Sequence, residues 1–194
     1  NSIAASNEGP LEIFLSGNEN EAISIWKQNS KLGDLDATYA LGIIFYDSDV
    51  TGLCQRIEDV GCKNNFKTGL KYFKSAHDAG DVRATYALGE HYDYFRKYKK
   101  AFKFYIKAAL AGVPEAQFNT ASMYEHGEGI KQDIVQAVRW YLQCNETKLC
   151  LQKEEGISDL IDQLTTDEIQ LAKSFLILDQ IPVNIRLSSV SKNQ

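Results

Sequence analysis

Ser24-Ile25-Trp26-Lys27 has the Ser-x-x-Lys spacing that lets a lysine one helical turn on activate a serine for acyl transfer. Lys67-Thr68-Gly69 has the Lys-Thr-Gly form that accompanies it in enzymes opening β-lactams. Both strings are cheap. With 13 serines and 16 lysines in 194 residues, about one Ser-x-x-Lys arises by chance. A second copy stands at Ser189 and Lys192. The Ser-Asp-Asn element is missing, and Lys67-Thr68-Gly69 opens a helical stretch where that chemistry uses a strand edge. The histidines are no more suggestive. His77 precedes Asp78 at a helix end, where a cation complements the helix dipole; His91 falls on a core-facing position, and His126 at the mouth of a glycine loop. No nucleophile stands at a credible spacing from a base. The sequence reads as that of no enzyme, with no cofactor and no metal.

The four cysteines fall in two close pairs, Cys54 with Cys62 and Cys144 with Cys150. Three connectivities are possible, of which closure within each pair is the simplest. A ring as short as Cys54 to Cys62 would stabilise the fold by about 2.5 kcal/mol through lost denatured-state entropy. Neither pair has C-x-x-C spacing, and no histidine lies near enough in sequence to complete a zinc set. Disulfides imply an oxidising compartment such as a periplasm, an envelope or the outside. The first residue is Asn1: either a leader has been removed or the chain has been trimmed, and both fit an exported protein, free or lipid-anchored. The Asn145-Glu146-Thr147 sequon would matter only in a eukaryotic secretory pathway.

The elements that must position these residues are a repeat. At 44% hydrophobic and 24% charged the composition is that of a globular chain, and no apolar run approaches the roughly 18 residues that span a bilayer. A net charge of −5 argues against nucleic acid or an anionic lipid surface as partner. Ala37, Ala84 and Ala116 head three similar segments, each with an aromatic eight residues on: Phe45, Tyr92 and Tyr124. These form helix A. Ala22, Gly69, Ala101 and Ala137 head a second set with an aromatic four residues on, Trp26, Phe73, Tyr105 and Tyr141; these form helix B. The first three B segments end in Gly33, Gly80 and Gly112, suited to a left-handed C-cap. From B to the next A the offset is always 15; from A to its own B it is 32, 17 and 21. A constant offset means a fixed tight turn, and a variable one means a solvent-facing loop open to insertion. Within helix A, offsets 0, 4, 5, 7 and 8 from the leading alanine share one face, which fixes the core. The tyrosines read mainly as core.

These segments resemble the Sel-1-like repeats, relatives of the tetratricopeptide repeats. The third unit carries the likeness best: Ala116-Gln117-Phe118, Met123-Tyr124-Glu125-His126-Gly127-Glu128-Gly129-Ile130, Asp133 and Ala137-Val138-Arg139-Trp140-Tyr141. The second replaces the glycine loop by Tyr94-Phe95-Arg96-Lys97-Tyr98, and the first carries a long insertion holding Cys54 and Cys62. The resemblance implies an all-α, right-handed superhelical solenoid of helix-turn-helix repeats. In it, 17–34 is an N-terminal half repeat, 35–81, 82–113 and 114–145 are repeats, 151–181 holds C-terminal capping helices, and 182–194 is a tail. Cys144 and Cys150 sit where an exported, cysteine-rich branch of the family ties helix B to the next helix A, at shorter spacing. At the ends, the offset rule places a helix near Gln152 that Gly156 interrupts. Thr165-Thr166-Asp167-Glu168 has capping-box form, opening an apolar segment from Ile169 to Leu178.

The resemblance puts helix A on the concave side, so offsets 3, 6, 9 and 10 are the candidate partner-binding columns. They hold Ala40, Ala87 and Asn119; Ile43, Glu90 and Ser122; Tyr46, Asp93 and Glu125; Asp47, Tyr94 and His126. An acidic surface with interleaved tyrosines suits a basic or mixed-charge protein patch. The loop from Asp47 to Asn65 is a second candidate, as an insertion on a rigid scaffold. The expectation is a non-catalytic binding protein of the bacterial envelope, either an adaptor or an immunity protein that neutralises a secreted toxin. The rival is a hydrolase of β-lactams or peptidoglycan fragments, a role linked to the cysteine-rich branch.

Overall fold

The computed structural model describes residues 9–47, 65–144 and 154–178, which are helices joined by short turns, with no strand among them. In chain order they are α1 (Pro10–Leu15), α2 (Glu19–Lys31), α3 (Leu35–Asp47), α4 (Asn65–Asp78), α5 (Val82–Tyr94), α6 (Tyr98–Leu110), α7 (Pro114–His126), α8 (Ile134–Gln143), α9 (Glu154–Ile161) and α10 (Thr166–Leu178). Helix A corresponds to α3, α5 and α7, and helix B to α2, α4, α6 and α8. Two compact units divide the chain, residues 1–88 and 89–194, the boundary falling inside α5.

In the first unit α1 packs on α2, α2 on α3 and α3 on α4. Ile13, Ala22, Ile23, Trp26, Ala37, Leu41, Ile44 and Phe45 make a continuous buried cluster. The closest approach is between α3 and α4. A Cβ on Gly69 would lie 2.7 Å from the Gly42 carbonyl oxygen and against the Tyr46 backbone nitrogen, so only glycine fits. Arg83 ties two repeats together: its guanidinium lies over the Tyr39 ring at 4.7 Å and reaches Asp36 at 2.6 Å and Asp81 at 2.7 Å. Asp81, whose side chain is only 4% exposed, also accepts from the Arg83 backbone N–H at 2.8 Å. Burial pushes its carboxyl pKa up, but the hydrogen bonds and charge of Arg83 outweigh burial and hold it below the usual carboxylate range.

In the second unit α6 packs on α7, α7 on α8, and both α9 and α10 on α8. Tyr105, Tyr141 and Val138 are among its fully buried side chains. The Thr165–Glu168 capping box is formed. Glu168 accepts from the Thr165 N–H and hydroxyl at 2.9 and 2.8 Å, and these bonds lower its pKa.

The tight B-to-A turns share one design. Gly33, Gly80 and Gly112 all take φ near +90°, a conformation that costs an L-residue roughly 1–2 kcal/mol. The residue after each glycine donates back to a helix B carbonyl, as Asp81 does to Ala76 at 2.9 Å. A second bond runs from offset 1 of helix A to offset 8 of the preceding helix B. Thr38 Oγ1 gives its proton to the Asp34 carbonyl at 2.7 Å and so receives one from Ser30 at 2.8 Å. Thr85 likewise donates to the Asp81 carbonyl, which puts the proton of its 2.7 Å bond to His77 on Nδ1. In the third repeat Gln117 Nε2 donates to the Ala109 carbonyl at 3.3 Å. Two side-chain pairs and one side-chain-to-backbone bond therefore hold one geometry.

Two expectations need correction. Gly156 does not interrupt a helix; it lies inside α9. Glycine costs a helix about 1 kcal/mol, less than the gain from burying Ile157 and Leu160, each worth about 2 kcal/mol. Helix α2 is also not the first element, since α1 precedes and packs on it. Pro10 at the first helical position and Gly17 at φ +93° are its start and stop signals. Cys54, Cys62, Cys150, Ser189, Lys192, the Asn145 sequon, most of the Asp47–Asn65 loop and the tail 182–194 lie outside the described residues.

Candidate binding face

Offsets 0, 4, 5, 7 and 8 of α3, α5 and α7 are buried, save for Tyr92 and Tyr124 at offset 8, which are half-buried. Tyr92 stacks on Phe104 at 5.3 Å and Tyr124 meets Phe102 edge-on at 5.2 Å. At offset 5 a Cβ on Gly42 or Gly89 would meet the ring of Phe73 or Tyr105 at 2.5 Å, so helix B lays its aromatic directly on the helix A backbone.

The remaining columns differ in character. In the first unit Ile43 is 41% exposed and Asp47 is exposed, while Tyr46 packs between Phe66 at 4.8 Å and Phe73 at 5.5 Å. In the second unit Glu90 and Tyr94 are exposed, the latter at 81%, and Asn119 and Ser122 are half-buried. His126 is exposed; its Nδ1 lies 2.9 Å from the Ser122 carbonyl oxygen, which can only accept, so Nδ1 carries the proton.

Offset 9 turns out to belong to the packing. Tyr141, fully buried, donates its hydroxyl to Glu125 Oε2 at 2.6 Å, and Tyr105 donates to Asp93 Oδ2 at 3.3 Å. Burial, then the bond to Glu125 and its charge, hold the Tyr141 phenol well above its ordinary pKa. The first repeat substitutes a ring contact for this bond, Tyr46 on Phe73. A carboxylate at offset 9 thus goes with a tyrosine at offset 4 of helix B, and an aromatic goes with phenylalanine. The signal was in the sequence as paired variation at two columns, but reading each column alone missed it.

The chemistry-bearing strings lie on helix B segments. Ser24 and Lys27 are on α2, where Lys27 lies over the Phe45 ring at 5.8 Å. Lys67, Thr68 and Gly69 are in the first turns of α4, with the glycine wedged against α3. His91 is buried, with its ring 5.0 Å from Tyr92 and 5.1 Å from Phe95. Cys144 caps α8, is buried and is not a free thiol; its Sγ is 3.3 Å from the Pro114 carbonyl oxygen. Among the described residues no group of three or more His, Cys, Asp or Glu is gathered for a metal. No described helix is long and apolar enough to cross a membrane.

A Sel1 repeat model matches residues 35–81, 82–113 and 114–143. The chain is 28% identical over 155 residues to the chitin synthase regulator SKT5 of Saccharomyces cerevisiae, covering 76% of this chain and 21% of that protein. Over 77 residues it is 35% identical to the ERAD-associated E3 ubiquitin-protein ligase component HRD3 of Candida glabrata, covering 40% of this chain and 9% of that one. It therefore spans less than a quarter of either. Among solved structures it is similar to a protective antigen of uropathogenic Escherichia coli displaying an SLR fold. That match has a TM-score of 0.62 at 24% identity, over 78% of this chain and 31% of that one. A Sel1 repeat protein from Oxalobacter formigenes matches with a TM-score of 0.56 at 24% identity, over 69% and 96%. These likenesses give the fold: an all-α helical repeat solenoid.

Proposed function

This chain belongs to the Sel1 repeat family, and on that premise we propose that it is a non-catalytic adaptor holding a protein partner on helix A. Sel1-repeat proteins mediate protein–protein interaction. The observation that carries the reading is in the second unit. Glu90, Tyr94 and His126 are exposed beside half-buried Asn119 and Ser122, while the neighbouring offsets of the same helices are committed to the core. An exposed tyrosine among acidic and small polar groups can bury its ring against a partner and keep its hydroxyl satisfied. The charge suits a basic or mixed-charge partner patch.

Asp93 and Glu125 accept hydrogen bonds from buried tyrosines, and exposure supports Glu90, Tyr94 and His126, with half-buried Asn119 and Ser122, as contact residues of the second unit, and separately Ile43 and Asp47 as those of the first. Of the finer roles, the adaptor is better supported than the toxin-neutralising immunity protein, because one relative is named as a regulator of chitin synthase and the other as a component of a ubiquitin-protein ligase. The four cysteines support work in an exported, oxidising setting.

The test is substitution of Glu90→Lys with Tyr94→Ala, followed by recovery of bound protein from the native host. Loss of one specific partner with helicity intact supports the reading; recovery undiminished would move the site to the Asp47–Asn65 insertion. A chromogenic β-lactam assay with Ser24→Ala addresses the hydrolase. Hydrolysis above background that the substitution abolishes would replace the adaptor by that enzyme.

A further inference from the structure

Between Asp93 and Glu115 the chain has no carboxylate, yet it carries Arg96, Lys97, Lys99, Lys100, Lys103 and Lys107. In a protein of net charge −5 this is a local reversal of sign. All six are exposed, and none forms an ion pair within the described residues. Lys97 and Lys100 lie over the Phe95 and Tyr92 rings at 5.9 and 5.4 Å. Arg96, Lys97, Tyr98, Lys99 and Lys100 also line a hollow of about 390 Å³, whose far wall is Gly129. That wall sits tightly on α6: a Cβ on Gly129 would run into the Tyr98 carbonyl group. The second repeat has thus exchanged the glycine loop for a cationic one.

We infer that this surface of α6 is a docking site for an extended acidic peptide segment, distinct from the helix A face. The geometry selects that occupant. Lys99, Lys103 and Lys107 follow each other at four-residue intervals on one helix, about 6 Å per step. Alternate residues of an extended chain recur every ~6.7 Å on one side. Over two steps the axial mismatch is about 1.4 Å and the lysine row turns by about 80° around the helix, both of which flexible lysine stems absorb. An acidic side chain at every second position therefore meets one lysine each, and the hollow at the start of α6 takes a single apolar residue against Tyr98 and the lysine methylenes. A bilayer fits less well. Of the two exposed aromatics among the described residues, Phe95 is held by His91 at 5.1 Å and capped by Lys97, which leaves Tyr94 alone to insert.

The test uses the full chain and a fluorescein-labelled peptide with leucine followed by three glutamates at alternate positions, against a scrambled peptide of the same composition. Fluorescence anisotropy should report binding of the first peptide, at least about threefold weaker for the scramble and falling steeply with salt. Lys99→Glu with Lys103→Glu and Lys107→Glu should weaken it at least about tenfold. If that variant loses helicity, the triple Lys→Gln variant decides, with a loss of about threefold or more expected. Glu90→Lys should leave peptide binding unchanged, so failure here is distinct from failure of the helix A reading. No binding by the wild type, or equal binding by the charge variants, would overturn the inference. So would sedimentation with phosphatidylserine vesicles in place of peptide binding.

Discussion

Replacing Tyr141 by phenylalanine removes one oxygen from a fully buried position and leaves the ring where it is. That oxygen donates to Glu125 Oε2 at 2.6 Å. A hydrogen bond to a charged acceptor contributes about 1.5–3 kcal/mol. Glu125 is half-exposed, so water recovers part of its solvation and the expected loss is about 2 kcal/mol. In a chain of this size that lowers Tm by roughly 4–8 °C. Tyr105→Phe breaks the longer 3.3 Å bond to Asp93 and should cost about 0.5 kcal/mol. Thermal unfolding followed by circular dichroism at pH 7 gives both numbers, and a cycle with Glu125→Gln isolates the coupling. Alkali adds a check of sign. The folded pKa of Tyr141 is raised, so its contribution is present below the ordinary tyrosine value near 10 and is lost as pH climbs toward the folded value. Equal effects at Tyr141 and Tyr105, or none at Tyr141, would refute the assignment of offset 9 to packing.

Gly69→Ala should destabilise by up to about 2 kcal/mol by chemical denaturation: the new methyl meets Tyr46 and Gly42 backbone, and overpacking of about 1–3 kcal/mol outweighs a helix-propensity gain of about 1 kcal/mol. Arg96 is the one non-glycine among the described residues at positive φ, +53°, so Arg96→Gly should stabilise by about 0.5 kcal/mol once unfolded-state entropy offsets part of the relieved strain. Because the Asp81 pKa is lowered on folding, its stabilisation is present above the unfolded carboxylate value and lost as pH falls through the folded one. Asp81→Asn should therefore lower Tm at pH 6, with the gap to wild type closing toward pH 2. Non-reducing peptide mapping should recover Cys54 with Cys62 and Cys144 with Cys150; any other pairing would contradict local closure.

The repeat was legible because its physics is local. A core face at offsets 0, 4, 5, 7 and 8, and a glycine that alone tolerates φ near +90°, recur in the sequence as they do in space. Single columns were harder to interpret. Asp93 and Glu125 look like free surface carboxylates until the helix B tyrosines beneath them are placed, and no residue type at one position reveals a bond made sixteen residues away. The offset-1 bonds were hidden for a related reason, since Ser30–Thr38, His77–Thr85 and Ala109–Gln117 share geometry while the helix B partner changes from hydroxyl to imidazole to backbone carbonyl. Gly156 and α1 show tertiary packing overriding propensity and brevity.

The central claim is that the exposed offsets of α5 and α7 hold a protein and perform no reaction. Photo-crosslinking residues placed singly at positions 90, 94 and 122, with position 74 on α4 as control, test it in cells that make the protein. The account predicts one discrete adduct from the first three sites and none from the control. Adducts at position 74 alone, or at no position, would contradict it.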